Sequence, residues 1–362
     1  MELRYLGRTG LKVSVLSFGA MTFGGARSEF FARVGTTELD AARRQVDMCL
    51  DAGVNLFDTA DVYSNGASEE ILGQALGDRR PDVLVATKLH GLMGGPNDRG
   101  QSRHHVIRAY EASLRRLGTD WIDILQVHGI DGHTDIAETL RALDDLVRAG
   151  KVRYIGCSNY SAWHLMKALS VAEREGLTRY HLLQAYYSLV ARDLEFELMP
   201  LCLDQELGIL VWSPLSGGFL TGKVRRGETP PDESRTAAWG PPGGLADREG
   251  ALDTVEVLVD IAGARGVPVA QVALAWLLRR PGVTSLIVGA RNEAQLTDNL
   301  GAAQLRLDDE EMRRLDVASA PRLPYPQWHQ LRYNAERLSE PWMEFPRPAP
   351  APAHPGPPRA TP

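Results

Sequence analysis

The sequence predicts a single (β/α)8 (TIM) barrel, and three observations carry that reading. Eight short, β-branched apolar runs alternate with amphipathic segments, mostly about thirty residues apart, as successive βα units require. The runs are apolar almost throughout, which suits parallel strands covered on both faces. No GxGxxG turn occurs in the chain. Such a turn ordinarily follows the first strand of an open doubly wound sheet, the competing architecture.

In chain order, residues 3–6 and 11–14 flank Gly7-Arg8-Thr9-Gly10 and read as a small N-terminal β-hairpin placed to close the barrel floor. Barrel strands are expected at residues 13–21, 54–60, 83–88, 121–128, 152–159, 181–188, 208–215 and 284–290. Helix punctuation separates them. Ser102 opens a helix over Arg103–Leu117 that Gly118 closes, Thr134 opens one over 135–149 that Gly150 closes, and Ser161 caps Ala162–Glu175. One connection breaks the rhythm. Residues 216–250 are long and rich in Gly and Pro, and read either as a lid over the barrel mouth or as a disordered insertion. Residues 1–340 form the barrel domain. Residues 341–362 hold nine of the 22 prolines and are expected to be an extended, solvated tail, with a docking motif as the alternative.

Composition bounds the function. With 44% hydrophobic and 24% charged residues the chain is an ordinary folded protein. Lys+Arg 40 against Asp+Glu 46 gives a net charge of −6 without a basic block, so neither nucleic acid nor an anionic membrane is the expected partner. No apolar run reaches the ~18 residues of a membrane helix. The opening Met1-Glu2-Leu3-Arg4 lacks a signal peptide's features, so a cytoplasmic location is expected. Cys49, Cys157 and Cys202 form neither a CxxC pair nor a metal spacing, and His90, His133, His164, His181 and His329 show no ligand spacing, so no metal is expected. His104-His105 reads as a solvated surface pair.

Barrel chemistry belongs at the carboxyl ends of the strands. There the chain places Asp58-Thr59-Ala60-Asp61-Val62-Tyr63, Thr87-Lys88, Gln126-Val127-His128, Ser158-Asn159, Gln184, Trp212-Ser213-Pro214 and Gly289-Ala290-Arg291. One strand-end cap explains any single member of that set but not all of them together. An ammonium beside a phenol favours the phenolate and lowers the tyrosine pKa from its ordinary ~10. Lys88 could act so on Tyr63, with Asp58 holding Lys88 and His128 orienting a substrate oxygen, which makes an acid suited to carbonyl reduction. Alone, Asp58–Lys88 reads more readily as a structural ion pair than as a catalytic one, and Tyr63 and His128 at the same rim reverse that reading. Gly217-Gly218-Phe219-Leu220-Thr221-Gly222-Lys223-Val224 nearly spells a P-loop, but Val224 stands where a magnesium-binding hydroxyl is required. Cys157 reads as a small core residue or as an oxidisable thiol, and Tyr186, Tyr187 and Trp276 as core or barrel-wall aromatics.

Asp58, Tyr63, Lys88 and His128 match the catalytic tetrad of the aldo-keto reductases. The flanking Phe57–Tyr63, Gly156-Cys157-Ser158-Asn159 and Trp212-Ser213-Pro214-Leu215 motifs resemble that family too. The resemblance covers roughly Leu3 to Trp328, and the stretch from Trp212 to Lys223 looks most like bacterial members related to potassium-channel β-subunits. It implies a reductase on a (β/α)8 barrel that moves hydride from NADPH to a small-molecule aldehyde or ketone, with Tyr63 as general acid. By the same resemblance Ser158, Asn159 and Gln184 would hold the nicotinamide carboxamide and Trp212 would stack on its ring. Ser213, Pro214, Leu215, Gly217 and Lys223 would line the pyrophosphate path, and Gly19 and Met21 would flank the cofactor. Gly289, Arg291, Gln295 and Asn299 would hold the adenosine end. Asn292 also caps a helix start there, and a helix N-terminus beside an arginine suits a 2′-phosphate. The alternative is a slow-turnover NADP(H)-binding regulatory or redox-sensing protein, since the same residues serve either use. Substrate choice is expected to lie in residues 91–101, 216–250 and 321–340, which carry Met93, Arg99, Trp239, Tyr325 and Trp328. The oligomeric state is left open.

Overall fold

The computed structural model describes residues 1–227, 240–245 and 247–338. Strands β1 (Leu3–Tyr5) and β2 (Lys12–Ser14) form the expected antiparallel hairpin. Eight parallel strands then close a barrel. They are β3 (Leu16–Gly19), β4 (Leu56–Asp58), β5 (Leu84–Leu89), β6 (Ile122–Val127), β7 (Val152–Ser158), β8 (Leu182–Tyr186), β9 (Gly208–Trp212) and β10 (Val283–Val288). Each strand pairs with the next, and β10 returns to β3. The run 13–21 divides because Ser14 turns its polar groups inward on neighbours. Its amide donates to Asn55 Oδ1 (2.8 Å) and its hydroxyl to the Leu16 carbonyl (2.7 Å), ending the hairpin before β3 begins.

Strand alternation sends side chains to two separate cores. Outward residues such as Phe57, Val85, Leu125, Leu183 and Leu286 pack under the surrounding helices. Inward residues Leu56, Ala86, Ile124, Leu182, Leu210 and Ile287 join Leu6 and Val13 of the hairpin in a second cluster, a dry floor to the barrel.

Helix ends follow local chemistry with two corrections. Arg103–Leu117 is capped by Ser102, whose Oγ accepts from the His105 amide (3.3 Å), and ends at Gly118 with φ +62°. The cap of Ile136–Arg148 is Asp135 rather than Thr134, because Asp135 accepts the Ala137 amide (3.0 Å) while Thr134 donates to Asp131. Ser161 precedes Ala162–Glu175, but its hydroxyl is bonded to His164 Nδ1 (2.6 Å) and caps no amide. Among the described residues no single helix is long and apolar enough to cross a membrane. The tail 341–362 lies outside the described residues.

Candidate active site

Two residues beyond five of the floor positions the same strand face turns polar. Leu56 is followed by Asp58, Ala86 by Lys88, Ile124 by Gln126, Leu182 by Gln184 and Leu210 by Trp212. A period of two keeps each pair on one face, so a single step up the barrel replaces the apolar layer with a polar one that includes the Asp58–Lys88 pair.

Lys88 is fully buried and donates to Asp58 Oδ1 (2.5 Å), to the Thr59 carbonyl (2.7 Å) and to the Tyr63 hydroxyl (3.4 Å). Asp58 Oδ2 accepts from Gln184 Nε2 (2.8 Å) and Gln126 Nε2 (3.3 Å), so a desolvated carboxylate meets three donor groups. The segment after β4 is fastened to β5: the Thr59 amide donates to Ala86 O (2.9 Å) and the Asp61 amide to Lys88 O (3.0 Å). A turn then carries Tyr63, followed by Ser64 at φ +50° and Asn65 at φ +55°. His128 directly follows β6, its ring centroid 5.7 Å from that of Tyr63.

The electrostatics correct one expectation. Burial pushes the Tyr63 hydroxyl above its ordinary pKa, and the opposing pull of Lys88 does not overcome it. The reason is geometric, since Lys88 stands nearest Asp58 and the Thr59 carbonyl and reaches Tyr63 last. Burial also pulls Lys88 down, but Asp58 and Tyr63 together hold it above the usual lysine value, as a firm cation. Burial, then the Lys88 charge, press His128 down to about 3, so its imidazole is neutral at physiological pH. The constellation therefore comprises a fixed cation, a protonated phenol and a neutral imidazole.

Of these groups Tyr63 and His128 line a cavity of about 940 Å³. Gly19, Met21, Asp58, Ser158, Asn159, Gln184, Trp212, Ser213, Pro214, Leu215, Gly217, Lys223, Gly289, Arg291, Gln295 and Asn299, all singled out from the sequence, line it. Their geometry separates them. The Ser158 hydroxyl is buried and has no partner among the described residues. Gln184 spends its NH2 on Asp58 and Gln126, which leaves its carbonyl oxygen for another donor. Asn159, at φ +57°, already uses both ends of its amide: it donates to the His128 carbonyl (2.9 Å) and accepts from Trp212 Nε1 (3.1 Å). Trp212 carries Tyr186 on one face, ring centroids 4.8 Å apart. Tyr186 thus backs Trp212 without lining the cavity itself, whereas Tyr187 and Trp276 are buried core.

Beyond Trp212 the chain runs through left-handed conformations at Ser213 (φ +51°), Ser216 (φ +51°), Gly217 (φ +65°) and Gly218 (φ +96°). Lys223 is exposed beside this run and makes no ion pair among the described residues. Arg291 donates to the Val34 (3.0 Å) and Arg33 (2.6 Å) carbonyls, its own amide donates to Gln295 Oε1 (3.1 Å), and Asn299 Nδ2 donates to Gly289 O (3.3 Å). Asn292 caps the helix Glu293–Gly301 as expected, accepting the Gln295 amide (2.9 Å).

An unpartnered buried hydroxyl, an accepting amide oxygen, an unpaired ammonium and a glycine-rich left-handed loop are suited to a carboxamide and a diphosphate, so these residues fit a nicotinamide dinucleotide. Among the described residues no group of three or more His, Cys, Asp or Glu side chains is placed to hold a metal.

Some readings of the sequence change. His105 is buried, with no partner for either ring nitrogen among the described residues, because it faces inward from its helix; it is not a surface residue. Cys157 is buried in the outer core, where burial raises its thiol well above the ordinary value, so it is the inert core residue. Of the expected lid, residues 217–224 and 240–244 contribute to the cavity wall, while 228–239, including Trp239, lie outside the described residues. Residues 91–101 and the described part of 321–340 line none of it. Phe30 and Phe31 do, and no periodicity marked them. Gln126, a strand-end residue to which the sequence assigned no role, is placed against Asp58.

Fold and site together define a (β/α)8-barrel protein of the enzyme type, with ionisable side chains converging at the carboxyl end of the sheet. Residues 15–320 match the model of the Aldo/keto reductase family. A probable voltage-gated potassium channel subunit beta of Arabidopsis thaliana is 40% identical over 313 residues, 84% of this chain and 92% of the relative. The uncharacterized oxidoreductase YrpG of Bacillus subtilis is 39% identical over 89% of this chain and 97% of its own length. Versiconal hemiacetal acetate reductase of Aspergillus parasiticus is 32% identical over 90% of this chain and 99% of its own. The chain belongs to the aldo/keto reductase family, and its general role is that of an oxidoreductase.

Proposed function

We propose that the protein reduces aldehydes or ketones to alcohols with NADPH, with Tyr63 as the proton donor. The observation that carries this reading is Tyr63 at the cavity wall, its hydroxyl 3.4 Å from a buried lysine and its ring against a neutral histidine. The chemistry that a bound dihydronicotinamide supplies is hydride for the carbonyl carbon. Ser158 and the Gln184 oxygen would hold its carboxamide, Trp212 would flank its ring, and Lys223 with the 213–218 loop would meet the diphosphate.

The chain's own residues supply the rest. Held above its ordinary pKa, Tyr63 keeps its proton throughout the physiological range and is loaded as an acid. As charge develops on the carbonyl oxygen the phenol releases that proton to it, and the Lys88 ammonium stabilises the phenolate left behind. Asp58 keeps Lys88 aimed at Tyr63. His128, being neutral, donates an N–H to the same oxygen without surrendering it. One hydride and one proton convert one carbonyl to one alcohol, and water restores the proton to Tyr63.

Arg291 favours NADPH over NADH. Anchored by two backbone carbonyls beside a capped helix start, its guanidinium is set to meet a 2′-phosphate. The relatives named as channel subunits favour a second reading, a cofactor-binding regulatory protein with slow turnover. Cofactor consumption by the purified protein against a set of aldehydes and ketones, with NADPH and NADH compared, separates the two. Sustained turnover that prefers NADPH supports the reductase. Tight NADPH binding with negligible turnover on every carbonyl supports the regulator and rejects the reductase.

A further inference from the structure

Residues 23–37 form a closed excursion at the carboxyl end of β3. Its neck is shut by the Gly24 amide on Thr37 O (2.9 Å) and the Thr37 amide on Thr22 O (3.0 Å). Gly25 and Gly35 touch inside it, so closely that a Cβ on Gly25 would stand 1.8 Å from the Gly35 carbonyl oxygen. A short helix, Glu29–Ala32, crosses its tip, and Arg291 ties down the Arg33 and Val34 carbonyls behind that helix. The excursion is therefore anchored at both ends.

What it holds in place is a pair of aromatic rings. Phe31 is 7% exposed and lies edge-on to Tyr63, centroids 6.0 Å apart at 61°, while Phe30 stands 5.1 Å from Phe31 at 85°. With Met21, Val34 and Val62 they give the cavity an apolar wall beside the tyrosine. The cations that line the cavity among the described residues, Lys223 and Arg291, follow β9 and β10 instead. A carbonyl compound whose oxygen reaches the Tyr63 hydroxyl lies in this cavity, with Phe30 and Phe31 in its wall. An aryl group there buries apolar surface and meets ring edges, whereas a chain of hydroxyls leaves its donors and acceptors without partners.

We propose that Phe30 and Phe31 are the specificity-determining residues of the site, and that they select carbonyl compounds carrying an aryl or similarly flat apolar group over polyhydroxylated aldehydes. The inference rests on Tyr63 being the proton donor of a carbonyl reduction.

The test compares kcat/KM for benzaldehyde, propanal and glyceraldehyde, with NADPH, in the wild type and in Phe31→Ala, Phe31→Leu and Phe30→Ala. The wild type is expected to favour benzaldehyde over glyceraldehyde by about tenfold or more. In Phe31→Ala the benzaldehyde-to-propanal ratio should fall by about tenfold, mainly through KM, with smaller falls in Phe31→Leu and Phe30→Ala. Thermal unfolding confirms that each variant is folded, and Phe31→Leu, which keeps an apolar side chain of similar bulk, decides the matter if Phe31→Ala is not. Turnover without a preference for benzaldehyde in the wild type overturns the proposal alone. So does a uniform loss on both aldehydes with the ratio unchanged, which would make Phe31 only a support for Tyr63. No turnover with any of the three carbonyls overturns the reductase reading and this proposal with it.

Discussion

The floor and the mouth of the barrel are built from the same strands, two residues apart, and are opposite in chemistry. At the floor Leu6, Val13, Leu56, Ala86, Ile124, Leu182, Leu210 and Ile287 enclose a dry cluster sealed by the hairpin. At the mouth Asp58, Lys88, Gln126 and Gln184 are as deeply buried but carry charges and amides that must satisfy one another. Burial at the floor lowers the free energy of the fold, whereas burial at the mouth costs desolvation and is offset only while every partner is present. The contrast shows how a barrel separates stability from chemistry: one end tolerates a costly constellation because the other is inexpensive to fold.

Breaking the ion pair should give the largest effect. Lys88→Met leaves Asp58 buried without its cation, and should lower stability by about 3–5 kcal/mol and turnover by at least about 100-fold. Adding Asp58→Asn should recover most of the stability, measured by chemical denaturation, but none of the turnover. Recovery of both would mean that the pair is structural only.

The matching change at the floor is Leu6→Ala. A cavity there should cost about 2–5 kcal/mol, while turnover per folded molecule stays within about twofold of wild type. A comparable loss of turnover would show that the two ends are coupled.

A smaller effect sharpens the contrast at the mouth itself. Asp61 is fully buried, and neither of its oxygens has a partner with hydrogen-bond geometry among the described residues. Burial first, then the Glu69 carboxylate, raise its pKa to about 7, against the opposing pull of the Val62 amide, Arg116 and Lys88. A carboxyl raised on folding holds a proton that the unfolded chain releases, so stability falls as pH rises from about 4 to 7. Asp61→Asn removes that dependence. Its gain in stability should be greater at pH 8 than at pH 5 by about 2 kcal/mol, read from paired denaturation curves. Equal gains at both pH values would place the Asp61 pKa near that of an ordinary carboxyl group.

Most of the frame was legible because it rests on periodicity. The helix Arg103–Leu117 ends where Ser102 and Gly118 said it would, and the barrel strands fall in or within a residue of the expected runs. Asp58, Lys88, His128 and Gln184 could be placed because strand ends share one rim. What escaped depends on distance and burial, which a linear pattern does not carry. Gln126 had a place at a strand end but no role until it stood 3.3 Å from Asp58. The net effect on Tyr63 depends on Lys88 reaching it less closely than it reaches Asp58, and His105 turned inward on a helix whose sequence shows two adjacent histidines. Phe30 and Phe31 sit in a loop held by carbonyl contacts to Arg291, some 260 residues later, and no local rule reaches that far.

The most direct measurement is single-turnover oxidation of bound NADPH by an aldehyde, followed in wild type and Tyr63→Phe, with NADPH affinity measured alongside. The expected result is affinity within about threefold and a reduction rate at least about 100-fold lower in the variant, because only the proton donor is removed. A reduction rate within a few-fold of wild type would contradict the role of Tyr63, and with it the chemistry assigned to the barrel mouth.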